Sequence, residues 1–558
     1  MKTLSALPYL FYFLATPPLL AAVSYYVNPT GDNSRSGTSE EQAWQTISRV
    51  NEGHYGPGDK ILFQAGQTFT GSLYFDPNNS GGTALEPITV SSYGGGPAVI
   101  STKDGEHGLY AYNVGGFHIT GLNFAGAMTH CGIGGLEGGN GIYFYSDSGV
   151  PLSHIYIDQA DISGYCIGIA ANANLPGEYE DIWLNQLTLH DNLGFGIFLM
   201  GSQPDENSGY PINHVSIGHS QIYNQSGLPY EEAGVNKSGS AIVLDQVDNA
   251  VIEHNTVFNN GGQNTCIEST ETKIGPYGIW ANGSRISIQS NEVYGQHVAP
   301  DCPGNGGAFQ ITGSESIVQY NYSHDNEGLA IFQENTPDNQ NNIIRYNISE
   351  NDSLSFNRQG IIRVAGGSGN YEIYNNTVYA NHEAGSQGPL IAVASSNGYG
   401  TGNPTGVHFR NNLFVSNNPE ALLMIVDPQN IADLRFENNA YYDNRGNYLI
   451  YWGGPQYLGI GTWAQATDQE KVNGKIVAHI LNPLLCSPGS GGIISPKPLT
   501  ALTAYELQEN SPLVDAGWDL ASQFGLDPGK QDFFSNPVPA GGSPDIGAHE
   551  YQTGQTCQ

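Results

Sequence analysis

Between residues 252 and 439 one short phrase returns seven times: an apolar residue, two variable residues, asparagine, then another apolar run. It reads Ile252-Glu253-His254-Asn255, Ile288-Gln289-Ser290-Asn291, Val318-Gln319-Tyr320-Asn321 and Ile344-Arg345-Tyr346-Asn347. It continues as Ile373 to Asn376, Phe409 to Asn412 and Phe436 to Asn439. Successive asparagines stand 36, 30, 26, 29, 36 and 27 residues apart. The register extends backwards through Ser220, Leu187, Ala160 and Leu122, where the Asn is absent. Each unit holds only runs of three to five residues with period-two alternation, which are strands, and no amphipathic helix. Such a unit buries its apolar face by stacking on the next, with strands about 4.8 Å apart. Asn tolerates left-handed backbone at a tight bend, and stacked amides can hydrogen-bond from coil to coil. The uneven steps argue against sandwich strands or propeller blades of constant size.

Composition agrees with a solenoid of strands and turns. Charged residues are 13% of 558, too few for long solvated helices, while Gly (73) and Tyr (33) are abundant. With 18 Lys+Arg against 52 Asp+Glu the net charge is −34. No nucleic-acid partner is expected, because phosphates need clustered cations, and anionic membrane surfaces are disfavoured for the same reason. Residues 1–22 read as a secretory signal: Lys2, the apolar run Leu10 to Leu20, then Leu20-Ala21-Ala22 as a cleavage site. A secreted, extracellular and monomeric protein is expected. Eight Asn-x-Ser/Thr sequons occur, at Asn78, Asn224, Asn236, Asn282, Asn321, Asn347, Asn351 and Asn375.

Further segments carry a resemblance. The opening Tyr25-Tyr26-Val27-Asn28-Pro29-Thr30-Gly31-Asp32, with Trp44-Gln45-Thr46-Ile47 and Gly58-Asp59-Lys60-Ile61, is similar to the entry segment of secreted pectin-lyase-like proteins. Ser511-Pro512-Leu513-Val514-Asp515-Ala516-Gly517 and Asp545-Ile546-Gly547-Ala548-His549-Glu550-Tyr551 are similar to their closing segment. The phrase Tyr320-Asn321-Tyr322-Ser323-His324-Asp325-Asn326 resembles members assigned to carbohydrate metabolism. Over about residues 24 to 552 the chain thus resembles the pectin-lyase-like superfamily. That resemblance implies an all-β fold, a single-stranded right-handed parallel β-helix with an asparagine-rich turn ladder. The expected organisation is an N-terminal entry and cap over 23–58, with a short helix near Ala43–Asn51, the β-helix over 59–450, and an irregular closing segment over 451–558. The paired-Asp and Gly-His-Gly motifs of polygalacturonases are absent, as is a clear calcium-site Asp cluster.

Six cysteines in a secreted chain allow fifteen pairings. The repeat register narrows them. Cys131 and Cys166 follow the bend in successive coils, and so do Cys266 and Cys302, which leaves Cys486 with Cys557. No Cys-x-x-Cys occurs, which argues against a metal site. The loops holding Cys266 and Cys302, residues 259–277 and 294–307, are long enough to wall a groove.

Period-two counting places Val243 and Asp245, Trp280 and Asn282, and Gln310 and Thr312 on an outward strip. Adjoining loops add Glu231, Glu232, Glu268, Glu271, His297 and Asp301, and the next coils add Glu334 and Arg363. Trp280 is expected to be exposed and to stack on a sugar ring, with Gln310, His297, Arg363 and Lys273 as further substrate contacts. Glycosidic hydrolysis needs paired carboxylates, one protonated and one ionised. Asp245 is the first candidate, with Glu334, Asp301 and Glu268 competing for the acid. Repulsion among such acids should raise the pKa of one of them and place the activity optimum below neutrality. A β-eliminating polysaccharide lyase is the alternative, using Lys237, Lys273, Arg358 or Arg363, with Ca²⁺ bridging to a uronate. The hydrolase reading needs no cofactor. A non-catalytic carbohydrate-binding or adhesion solenoid is the third possibility. In each case the partner is a polysaccharide or oligosaccharide.

Overall fold

The computed structural model describes residues 21–132, 138–203, 209–229, 238–263, 276–298, 306–335, 340–354, 360–366, 369–381, 389–394, 403–417, 422–426, 433–443 and 448–557, with the side chains of 332–335 and 422–425 left out. Each coil lays down three strands, all parallel to their counterparts one coil away. The first face runs from Leu73–Phe75 to Leu449–Trp452 and the second from Ser24–Val27 to Leu434–Glu437. The third runs from Thr68–Thr70 through Ala440–Asp443 to His479–Ile480. Ile242–Glu253 and Tyr277–Gln289 pass from the first face to the second without a break, so those two faces form one 26-stranded sheet beside a 14-stranded one. This is the expected parallel β-helix.

Inward positions stack residue on residue. Ile197, Ile242, Ile279, Phe309, Ile331, Ile362 and Ile391 occupy one register line and are all at most 3% exposed. β-Branched side chains suit this line because their stiff χ1 fits the pleat and each methyl meets the next coil.

The asparagine ladder forms as a hydrogen-bonded column. Asn291, Asn321, Asn347, Asn376, Asn412 and Asn439 each offer Oδ1 to the backbone N–H and the amide of the Asn one coil earlier, at 2.9–3.1 Å, and Asn255 at the head of the column accepts the backbone N–H of Ser220. Buried Glu470 ends the column, accepting from Asn439 Nδ2 at 2.6 Å. The left-handed backbone falls one residue earlier than expected, on His254, Ser290, Tyr320, Tyr346, Asn375, Asn411 and Asn438. Thus one residue makes the bend and the next makes the ladder. Five residues further on stands a second buried polar line: Gln225, Asn260, Gln296, Asn326 and Asp352. The sequons at Asn321 and Asn347, on the ladder, and at Asn375, on the bend, are buried.

Both open ends are covered. Helix Ile47–Asn51, capped by the Thr46 side chain, closes the N-terminal end. Helix Ile460–Thr467 closes the other, with Trp463 fully buried against Phe436 and Trp452. Beyond it the chain folds back as an irregular strap on the third face. There Leu485, Tyr505, Leu513, Phe533 and Ile546 meet Tyr322, Ile348, Tyr379 and Leu413 in a second apolar core. The closing-segment acids hold the strap by accepting backbone N–H groups. Asp545 takes those of Asp515 and Tyr551, Glu550 that of Asp545, and Asp532 that of Glu550. Disulfides join Cys131 to Cys166 and Cys486 to Cys557, with Cα atoms 5.6 and 5.3 Å apart. The Cys266–Cys302 expectation lies outside the described residues. Among those described, no helix is long and apolar enough to cross a membrane.

Candidate functional site

On the first face the outward residues form two parallel rows. One contains Tyr143, Ala170, Phe198, Val243, Trp280, Gln310, Arg363 and Ala392, with the backbone of Phe332 on the rung between Gln310 and Arg363, and each of the eight is at most 8% exposed. The other contains Tyr112, Tyr145, Asn172, Met200, Asp245, Asn282 and Thr312. All of these but Asn172 keep partial solvent access. The second row lies at the strand ends, beside the tight corner to the second face, whereas the first lies toward the incoming connections from the third face.

Trp280 is the main correction. Its outward phase is right, but the ring is 3% exposed, packed in an apolar cluster with Val243, Tyr277, Phe198 and Leu329. An outward aromatic here buries more area under the chain than it would gain in water. Gln310 is fully buried and donates to Thr312 Oγ1 at 3.4 Å, and Arg363 is 5% exposed. His297 pairs with Glu327 at 3.1 Å, a hydrogen bond that holds its imidazole pKa above the usual range. Glu231, Glu232, Lys237, Glu268, Glu271, Lys273, Asp301 and Arg358 lie outside the described residues.

Asp245 sits in the open row, half-buried between Met200 and Asn282. Its Oδ1 accepts from Asn282 Nδ2 at 2.8 Å and Gln246 Nε2 at 3.4 Å. Among the described residues Oδ2 has no hydrogen-bond partner. A carboxylate oriented through one oxygen and open at the other suits a nucleophile or general base. Glu334 lies on Leu329–Asn335, which is three rungs from Asp245. At about 4.8 Å per rung their backbone positions are roughly 14 Å apart. Two carboxyls sharing a glycosidic bond stand about 5–10 Å apart, so this pair would serve only with both side chains leaning towards each other.

Two features escaped the sequence reading. Tyr112 and Tyr145 stack at 5.9 Å in the open row, with their hydroxyls bonded to Asp147 and Asn174. The recurring Tyr-x-Tyr at 110–112 and 143–145 was the available signal. Asp248 is 7% exposed, ion-paired to Arg285, and burial raises its carboxyl pKa against the lowering by that guanidinium. Counting by twos from Asp245 misses it because a register shift between Asp245 and Val247 flips the phase. Among the described residues no group of three or more His, Cys, Asp or Glu is arranged to hold a metal.

No protein-family model matches the chain. It is similar to a lacto-N-biosidase of Bifidobacterium longum subsp. longum, 26% identical over 459 aligned positions covering 65% of this chain. The alignment spans 28% of that relative's length. Among solved structures it is similar to the GH136 lacto-N-biosidase of Eubacterium ramulus, at 15% identity and a TM-score of 0.40, covering 68% of this chain and 67% of that one. It is also similar to pectate lyase Pel9A, at 15% identity and a TM-score of 0.37, covering 96% and 98%. The fold itself rests on the strand register described above.

Proposed function

We propose that the protein is a secreted glycoside hydrolase acting on an oligosaccharide or polysaccharide along the open row of the first face. The observation that carries this reading is Asp245, a carboxylate fixed by Asn282 and offered to the groove. The similarity to a lacto-N-biosidase supports hydrolysis over elimination. Asp245 acts as nucleophile or base, and a carboxyl from the segments leading into Tyr277–Gln289 or Gly307–Ser314, Glu268 or Asp301, supplies the acid. Glu334, three rungs from Asp245, is the third candidate for the acid. This chemistry calls for no metal. Secretion is supported by the signal-like N-terminal sequence and by the disulfides Cys131–Cys166 and Cys486–Cys557.

The test is incubation with an aryl lacto-N-bioside and with a panel of neutral and acidic polysaccharides. Free phenol from the aryl glycoside, or new reducing ends without an unsaturated uronate from a polysaccharide, are expected. An unsaturated product absorbing in the ultraviolet would assign a lyase instead. Binding without turnover on every substrate would assign a non-catalytic solenoid.

A further inference from the structure

The exposed tryptophan of this protein is Trp183, on the second face and away from the open row. It is 49% exposed. One side of its ring stacks on Tyr156 at 5.3 Å and 24°, and Tyr156 stacks in turn on His154 at 3.8 Å. The aromatic column then stops. One rung on, Trp183 pairs with Ser216 and Asn185 pairs with Gly218. The two positions that follow Trp183 and Asn185 are therefore filled by a hydroxymethyl group and by no side chain, while Asn213 and the exposed His214 stand earlier on the same strand. On the next rung Ser216 and Gly218 pair with Val251 and Glu253.

The result is a notch one rung deep. Its lower wall is the free face of the indole, its floor is Ser216 and Gly218, and its upper wall is Val251 and Glu253. Successive rungs are about 4.8 Å apart, so one missing rung leaves space about as thick as a single flat ring. Asn185 supplies an amide on one side. Glu253 supplies a carboxylate on the other, steadied through Oε2 by Gln289 Nε2 at 2.7 Å. An apolar ring face flanked by an amide and a carboxylate matches a pyranose, whose C–H face is apolar and whose rim carries hydroxyls. Glu180 and Asp181 lie on the strand that carries Trp183, and the chain as a whole bears −34. Negative charge of this density disfavours a uronate or a sulfated sugar.

We infer that this notch is a second carbohydrate-binding site, taking one neutral pyranose unit of a glycan between Trp183 and Glu253. It holds polymer or branched glycan to the outside of the solenoid and takes no part in bond cleavage. The inference rests on the notch alone, not on the assignment of Asp245.

Intrinsic fluorescence titrated with cellotriose, lacto-N-biose and trigalacturonate tests it, together with retention on an insoluble neutral glycan. A saturable change is expected with at least one neutral probe and none with trigalacturonate. Trp183→Ala should weaken that binding at least ~10-fold. Ser216→Tyr should do the same while leaving the melting temperature unchanged or higher, because the new ring extends the column and fills the notch. Hydrolysis of a small aryl glycoside should be unchanged in both variants, which separates this site from the groove. Absence of binding to every neutral probe, unchanged binding in either variant, or equal binding of trigalacturonate overturns the proposal.

Discussion

His324 Nε2 stands 3.4 Å from Glu292 Oε1, and neither side chain is more than 2% exposed. Glu292 also accepts the backbone N–H of Ile494 at 2.6 Å and of Ser495 at 2.8 Å, so this pair pins the C-terminal strap to the third face. On the other side of the imidazole, Nδ1 lies 2.9 Å from Asp325. Within the phrase that resembles carbohydrate-active proteins, His324 serves as a structural clamp.

The clamp makes stability depend on pH. Burial alone would lower the His324 pKa, but hydrogen bonds to Asp325 and Glu292 outweigh it and hold it at about 9. A raised folded-state value gives stability that is complete below about 6.5 and lost as pH rises through 9, on the order of 3 kcal/mol. Burial also lifts Glu550 to about 8, Asp532 to about 7 and Asp545 to about 6. These shifts have the same sign, and their contribution fades between about pH 4 and 8. His549 opposes them at the acid end, since burial lowers it to about 4 and stability falls as pH drops through the interval from 6.5. The melting temperature should therefore be highest on the acid side of neutrality and decline from pH 6 to 9. His324→Gln should flatten the upper part of that slope. A melting temperature constant from pH 5.5 to 9 would contradict this account.

The ladder gives a second prediction. Asn321 accepts from the backbone and amide of Asn291 and donates to Ile288 O and Asn347 Oδ1. Asn321→Leu orphans several of these buried groups, each worth about 1–3 kcal/mol. Chemical unfolding should show a loss of at least about 3 kcal/mol. A loss below 1 kcal/mol would mean the column is not a stability element.

The coil architecture was legible because period-two alternation and a fixed Asn are local signals that repeat. Ile242 and Leu244 inside, with Val243 and Asp245 outside, followed directly. The second polar line was equally present, five residues after Ser220, Asn255, Asn291, Asn321 and Asn347, but Gln225, Gln296 and Asp352 vary its residue type and hide it. Exposure was not legible. Whether an outward residue meets water depends on what crosses above it, which is why Trp280 and Trp183, both outward on strands, end at 3% and 49% exposed. The bulge after Asp245 likewise leaves no mark in the composition of Gln246 or Val247.

Trp280 accordingly should behave as core. Trp280→Ala removes a ring packed against Val243 and Tyr277 and should cost about 3–5 kcal/mol of stability. Its KM on a small glycoside should change little at temperatures where the variant stays folded. A stable variant with a KM raised tenfold would return the ring to the substrate.

The sharpest prediction concerns Asp245. Its carboxylate is held by Asn282 and lies in the one outward row of this face that keeps solvent access along several successive rungs. Asp245→Asn preserves shape and leaves an amide beside Asn282, so the fold should be nearly unaffected. If Asp245 is the nucleophile or base, kcat should fall at least ~100-fold with KM within a few-fold, as for a group acting mainly in the transition state. Asn282→Ala should give a smaller loss in kcat, because it frees the carboxylate to rotate without removing it. Glu268→Gln and Asp301→Asn identify the acid. Whichever is the proton donor should lose far less activity on an aryl glycoside with a good leaving group than on a natural glycan, since the former needs little protonation. Near-normal turnover in Asp245→Asn would move the active site off this row.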